Sequence, residues 1–278
     1  NILNEDACPR YAARIIKNIK VGPSPEWLRS RLASIGQKSI NNIVDAANFV
    51  LMDTGHPMHT FDLSKIKSKE INVRFAESGE KITTLDDVER ELKDYHLLIC
   101  DGKTPVALGG IMGGANSVID DATTDILIES AYFKPTVIRK GAKSFDLSTE
   151  ASKRFERDTD IEAVIPALAQ LSALIQEVAG GDILGGIIDN YPTKKDSQCV
   201  DFSIENCNSF LGSNFSISQA KDIFQKLSIT VEEKGDFLQC TIPSFRNDLE
   251  REVDLFEEIA RVVGYNNIPS SLNFTDEI

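Results

Sequence analysis

Apolar positions repeat along this chain with two periods, and the places where the period changes mark its elements. Leu28, Leu32 and Ile35 fall at helical spacing, and Ser24-Pro25-Glu26 ahead of them offers an N-cap, a first-turn proline and a first-turn acid. A short helix ending at Gly36 is predicted. A second helix is predicted from about Asn41, with Ile43, Val44, Ala47, Val50 and Leu51 on one side and Gly55 as its stop. Residues 21–66 thus read as helical, with His56-Pro57-Met58-His59 following the second helix.

From Ile71 to Ile128 the pattern becomes short apolar runs at 71–75, 81–84, 96–100 and 125–128, punctuated by Asp-Asp, Asp-Gly and Gly-Gly pairs. These read as strands of a mixed sheet. Helices resume at about 135–143 and 160–178, the latter with Ile161, Val164, Leu168, Leu171 and Ile175 as its apolar stripe before Gly180-Gly181. Residues 191–197 read as a linker. Beyond it come a strand at 200–203, a helix at 204–211, a second helix capped by Ser216 or Ser218, two strands joined near Lys234-Gly235-Asp236, and a last helix from about Glu250 to Val263. The expected architecture is α+β, with a mixed-sheet domain over 1–195 and a small α/β domain of helical layout over 196–278.

Composition narrows what such a chain can do. The 278 residues suggest two domains, and 41 % apolar with 26 % charged residues is the balance of an ordinary globular protein. No run approaches the ~20 continuous apolar residues of a membrane helix. Net charge is −13, so any nucleic-acid contact must be local. Residues 1–195 hold 24 basic and 28 acidic side chains, while 196–278 hold 6 and 15, which argues against DNA binding by the second domain. Cys8, Cys100, Cys199, Cys207 and Cys240 are odd in number and form no C-x-x-C pair, so neither a zinc site nor a disulfide scaffold is expected, and a cytoplasmic setting is. The first residues lack an initiator Met, and the chain reads as a segment of a longer polypeptide.

No Walker loop, dinucleotide fingerprint, nucleophile elbow or H-E-x-x-H is present, and nothing singles out one of the three histidines for a Ser-His-Asp triad. Gly109-Gly110-Ile111-Met112-Gly113-Gly114 is the densest glycine segment, read either as a ligand-approach loop or as a strand-to-turn junction. Glu129 closes the apolar run 126–128, a costly place for a carboxylate unless it is paired. It reads as an acceptor for a ligand hydroxyl or as a group satisfied by Arg139 or a backbone amide. On the last helix, Asp254, Glu257 and Glu258 crowd one face with Asp248 just ahead. That set suits a hard divalent cation, an acidic surface or an Arg-rich interface.

Six motifs occur in an order that resembles the bacterial phenylalanyl-tRNA synthetase β subunit family: Cys8-Pro9-Arg10-Tyr11, Ile43 to Val50, Gly55 to Asp62, the Gly109–Gly114 loop, Ser148 to Arg157, and Gly264 to Pro269. The resemblance implies an editing module over about 1–195 that hydrolyses tyrosine wrongly esterified to tRNA(Phe), within an enzyme that aminoacylates that tRNA using ATP bound elsewhere. It implies His59, Glu129 and Thr149 as catalytic residues and Gly113, Gly114 and Ala151 as substrate-binding ones. Glu129 would accept the phenolic hydroxyl, and His59 would position the attacking water. The same resemblance implies a magnesium site, shared with an α subunit, on Asp248, Asp254, Glu257 and Glu258. The expected partners are that α subunit, in a heterotetramer, and the tRNA 3′ end, with no DNA and no membrane. A non-catalytic tRNA-binding or subunit-assembly segment is the competing expectation. His56 departs from the usual glutamine and is expected to add a titratable group beside His59; Phe245 stands for the usual tryptophan.

Overall fold

The computed structural model describes residues 1–268, so Pro269 of the last motif and the rest of the expected second domain fall outside them. The chain divides into two units, Asn1–Lys194 and Lys195–Ile278. In the first, the strands are β1 (Arg10–Lys17), β2 (Met58–Asp62), β3 (Ile71–Phe75), β4 (Lys81–Thr83), β5 (Glu89–Glu91), β6 (Leu97–Asp101), β7 (Thr104–Leu108), β8 (Met112–Gly113), β9 (Ile126–Tyr132), β10 (Asp182–Ile183) and β11 (Ile188–Asn190). Its helices are α1 (Glu26–Ser34), α2 (Asn42–Thr54), α3 (Pro135–Ser144), α4 (Glu150–Phe155) and α5 (Val164–Ala179).

Strand β9 organises this unit. It pairs with β1 on one side and β2 on the other, while β10 and β11 add to the far edge of β1. A second sheet runs β3-β6-β7-β8, and β4 pairs with β5. The fold is α+β, but every strand ladder is antiparallel, so the expected mixed sheet is corrected. Each neighbour enters from the opposite end, and no crossover between adjacent parallel strands is required. Six consecutive positions of β9 are buried because both faces are covered. Ile126 and Ile128 face α2 and α5 with Ile43, Val164 and Leu168, while Leu127 and Ala131 pack with Phe61, Leu98 and Phe133.

The helices follow their local signals closely. Asn41 accepts from the Ile43 and Val44 amides at the start of α2, and Gly55, left-handed at φ 73°, ends it. Ser24 is not a cap: its hydroxyl donates to the buried Asp45 carboxylate at 2.5 Å, and Pro25 takes the N-cap position of α1. Ile35 lies past that helix and is exposed. The span Ile161–Ala179 is long and apolar enough to cross a membrane by composition, contrary to expectation. Here Val164, Leu168, Leu171 and Ile175 fill the core against α2 and the central sheet, the behaviour of a core helix. Strand β2 is a correction as well, since 58–62 lies inside the stretch that the sequence marks as helical, while β1 carries no sequence signal of its own.

In the second unit, β12 (Cys199–Phe202), β13 (Thr230–Lys234) and β14 (Phe237–Thr241) form a sheet in the order β12-β14-β13. Helices α6 (Ile204–Leu211), α7 (Ile217–Lys226) and α8 (Glu252–Val263) pack on it around Phe202, Phe224 and Phe256. Ser216 rather than Ser218 caps α7, exchanging bonds with Gln219 in a capping box. The core face of α8 carries Leu255, Phe256, Ile259 and Ala260, with Val253 and Val263 packed at its margin.

Candidate functional site

The site lies on the face of β9 that carries Leu127, Glu129 and Ala131. In the ladder, Glu129 stands opposite His59 of β2 and opposite Ala13 of β1. It is therefore at the middle of a seven-residue strand, not at the end of a run. Its partner is neither Arg139 nor an amide: Tyr11, two residues along β1 on the same face, donates its hydroxyl to Glu129 Oε2 at 2.9 Å. Arg139 bonds the Glu156 carbonyl instead. Burial pushes the Glu129 carboxyl up to about 7, and the Tyr11 hydrogen bond opposes that rise. The Tyr11 phenol is itself raised, by burial and then by the neighbouring carboxylate. The sequence quotes Tyr11 only within a motif; its partner is 118 residues away, and no local signal pairs them.

A cavity of about 260 Å³ opens over this face, lined by His59, Gly113, Glu129, Thr149, Ala151 and their neighbours. That is just below the ~300 Å³ at which drug-sized pockets begin, and gives room for one aromatic amino acid. His59 packs edge-on against Phe61, and burial lowers it to about 4, so it is neutral near pH 7. Among the described residues its ring nitrogens have no hydrogen-bond partner. Gly113 is forced to be glycine by this ring: a Cβ there would lie 2.6 Å from His59 Cε1. The Leu85 amide donates to Gly113 O at 3.0 Å, so the β4–β5 hairpin holds the turn over the ring. Gly110, at φ 67°, is equally confined, since a Cβ would meet Phe133, Ile138 and Phe155.

Thr149 caps α4. Its hydroxyl accepts from the Ser152 amide at 3.0 Å and donates to Ile111 O at 2.8 Å, tying the helix start to the glycine turn. With its proton committed, it reaches the cavity as wall and acceptor. Ala151 lines the cavity, whereas Gly114 lies behind it, its amide donating to Val106 O. His56 adds no titratable group to the cavity: it is buried at the other face beside Ser130 Oγ (3.1 Å), and burial lowers it to about 4.

The four expected metal ligands do not gather. Arg246 holds both oxygens of Asp248 and bonds Glu258, Arg261 also bonds Glu258, and Asp254 accepts from the Glu250 and Arg251 amides and from the Arg251 side chain. No cluster of three or more His, Cys, Asp or Glu able to hold a metal occurs among the described residues. As arranged, the set does not fit a divalent ion, because arginines and amides take the lone pairs of Asp248, Asp254 and Glu258, and Glu257 alone is no cage for it.

Two stretches of the chain, one in each unit, match known families. Residues 7–180 match the family described as B3/4 domain, and residues 200–265 that described as tRNA synthetase B5 domain. The chain belongs to the B3/4 domain family. It is 48 % identical over 268 residues to the phenylalanine–tRNA ligase beta subunit of Geobacter sulfurreducens, covering 96 % of this chain and 34 % of that protein. Against the same subunit of Syntrophotalea carbinolica it is 48 % identical over 274 residues, with 96 % and 34 % covered. The chain thus corresponds to the B3/4–B5 region of such beta subunits and spans about a third of their length. An N-terminal fragment of the Pyrococcus horikoshii beta subunit is similar at a TM-score of 0.44 and 16 % identity, over 95 % of this chain and 74 % of that one.

Proposed function

We propose that the first unit is the editing part of a phenylalanine–tRNA ligase and hydrolyses tyrosine wrongly esterified to tRNA(Phe). The observation that carries this reading is Glu129: a buried carboxylate, held on one oxygen by Tyr11, at a cavity with room for a single aromatic amino acid. Phenylalanine and tyrosine differ by one hydroxyl. A site built to pair that hydroxyl can reject the analogue lacking it by roughly 10⁴-fold, because its own buried group is then left unpaired. Glu129 Oε1, which Tyr11 leaves free, accepts the phenolic proton. The bare Cα of Gly113 lets the His59 imidazole lie against the turn, at the wall of the cavity.

His59 positions the water that attacks the ester. Its low pKa makes it a weak base, so it orients the water by a hydrogen bond instead of removing a proton outright. No cysteine or base-activated serine lines the cavity, which favours direct attack by water over a covalent intermediate. Thr149 and the start of α4 form the wall against which the terminal ribose would rest. The α subunit and tRNA(Phe) are the partners this reading names, in the cytoplasm, and the exposed Phe210 and Phe245 of the second unit are the surface we assign to subunit contact. The test uses the complete enzyme with tyrosyl-tRNA(Phe) and phenylalanyl-tRNA(Phe). Rapid release of tyrosine with slow release of phenylalanine is expected; no release above the uncatalysed rate would end the proposal.

A further inference from the structure

Charge is distributed against the average of the chain in one place. Residues 134–157 carry seven cations and only three carboxylates, in a polypeptide of net charge −13. The excess is presented by α3. Thr136, Arg139, Lys140 and Lys143, at helical spacing, are all exposed, while Ile138, Gly141 and Ala142 on the opposite side are buried. The helix contains no acid. Among the described residues none of its three cations is in an ion pair: Arg139 donates to the Glu156 carbonyl, Lys140 rests over the Tyr95 ring at 4.0 Å, and Lys143 has no partner.

The strip continues to the cavity. Lys153 and Arg154 of α4 converge on Glu150, which lines the cavity, and Arg157 follows immediately after the helix. The buried side of α3 rests on the glycine turn, since Ile138 is among the side chains that a Cβ at Gly110 would strike. A cationic track therefore runs from the cavity rim across one helix face, on the unit that also holds Glu129 and His59. The acids near it include Asp94, Asp146, Glu150 and Glu156; Glu150 is shared by Lys153 and Arg154 and Glu156 lies 3.9 Å from Arg157, which leaves the three cations of α3 in surplus. Fixed cations in a row next to a cavity for an esterified nucleotide are complementary to a phosphate backbone.

We infer that the exposed face of α3, through Arg139, Lys140 and Lys143, binds the phosphate backbone of the RNA whose 3′ end enters the cavity. The inference rests on the editing reading for the identity of that RNA, and it adds where the RNA is gripped. Phosphate contacts fix register without reading bases, so they act on every tRNA of that shape. Selection is left to the cavity.

The test takes the complete enzyme and, as probe, an RNA minihelix bearing the acceptor stem and 3′ end of tRNA(Phe). Affinity is measured against salt for the parent, for Lys140→Ala/Lys143→Ala, and for Lys140→Arg/Lys143→Arg. The alanine pair should bind roughly tenfold more weakly at low salt and flatten the slope of log K against log[salt] by about 1.5, near 0.7–0.9 for each phosphate no longer neutralised. The arginine pair should keep both values near the parent. An alanine pair within twofold of the parent, or weaker binding with an unchanged slope, as expected for a face that meets protein instead, overturns the inference. Hydrolysis of tyrosyl-adenosine, which has no RNA stem, is followed in parallel on the parent. Its absence would count against the cavity's chemistry while the minihelix titration still reports on α3.

Discussion

Glu129 shows how a single side chain can be costly to the fold and useful to the site. Its carboxyl titrates at about 7 in the folded protein against an ordinary value of 4.5. The linkage follows directly: the contribution to stability is full below 4.5 and is lost as pH rises through 7, because the unfolded chain ionises first. The difference amounts to on the order of 3 kcal/mol at pH 8. Glu129→Gln should therefore gain stability over the parent between pH 5 and pH 8, as read by urea unfolding at both values. A constant difference across that range would contradict the burial argument. The same variant should lose most of its preference for tyrosyl over phenylalanyl ester. In the parent that preference should grow as pH rises through 7, since an ionised carboxylate is the stronger acceptor. Tyr11→Phe removes the bond that favours ionisation, so the pH at which the preference appears should move upward. That profile would not move if Tyr11 were only a packing residue.

At the scale of elements, the cavity depends on how closely a turn, a strand and a helix start are fitted. Gly113→Ala places a methyl group within 2.6 Å of His59 Cε1, and the imidazole or the turn has to shift. A displacement of that size should reduce deacylation of tyrosyl-tRNA roughly 10²-fold while the fold persists, measured as rate beside circular dichroism. Thr149→Ala removes a helix cap and the tie to Ile111 O; a loss of about 1 kcal/mol is expected, with Thr149→Ser restoring it. The legibility of elements follows the same local logic. Asn41, Gly55 and the Ser216–Gln219 box mark their helices because caps are written within a few residues. Strands β1 and β2 leave no such mark. Arg10-Tyr11-Ala12-Ala13-Arg14-Ile15-Ile16-Lys17 does not alternate, since both faces of β1 are covered and Arg10 is held by acids distant in sequence. The resemblance of motifs pointed to His59, Glu129 and Thr149, but not to the tyrosine that holds the carboxylate or to the arginines that occupy the acidic helix. Those depend on residues brought together only by folding.

For the whole molecule, the apolar clusters respect the division of the chain. Among the described residues, the two clusters of the first unit contain none beyond 190, and the cluster of the second contains none before 200. Residues 1–194 expressed alone should therefore unfold in one cooperative transition, with a broad non-cooperative melt as the contrary result. Within that unit the first strand and the last are neighbours: Tyr11 pairs with Asn190, and Arg10 bridges Asp189 and Glu162 from a nearly buried position. A chain whose entry and exit share one edge can be carried inside a longer polypeptide as an insertion, without threading either flank through the core. It also follows that trimming β10 and β11 would remove Asp189 and leave the nearly buried Arg10 guanidinium with Glu162 as its one remaining anion, so the safe place to cut is after Lys194, not after the long helix.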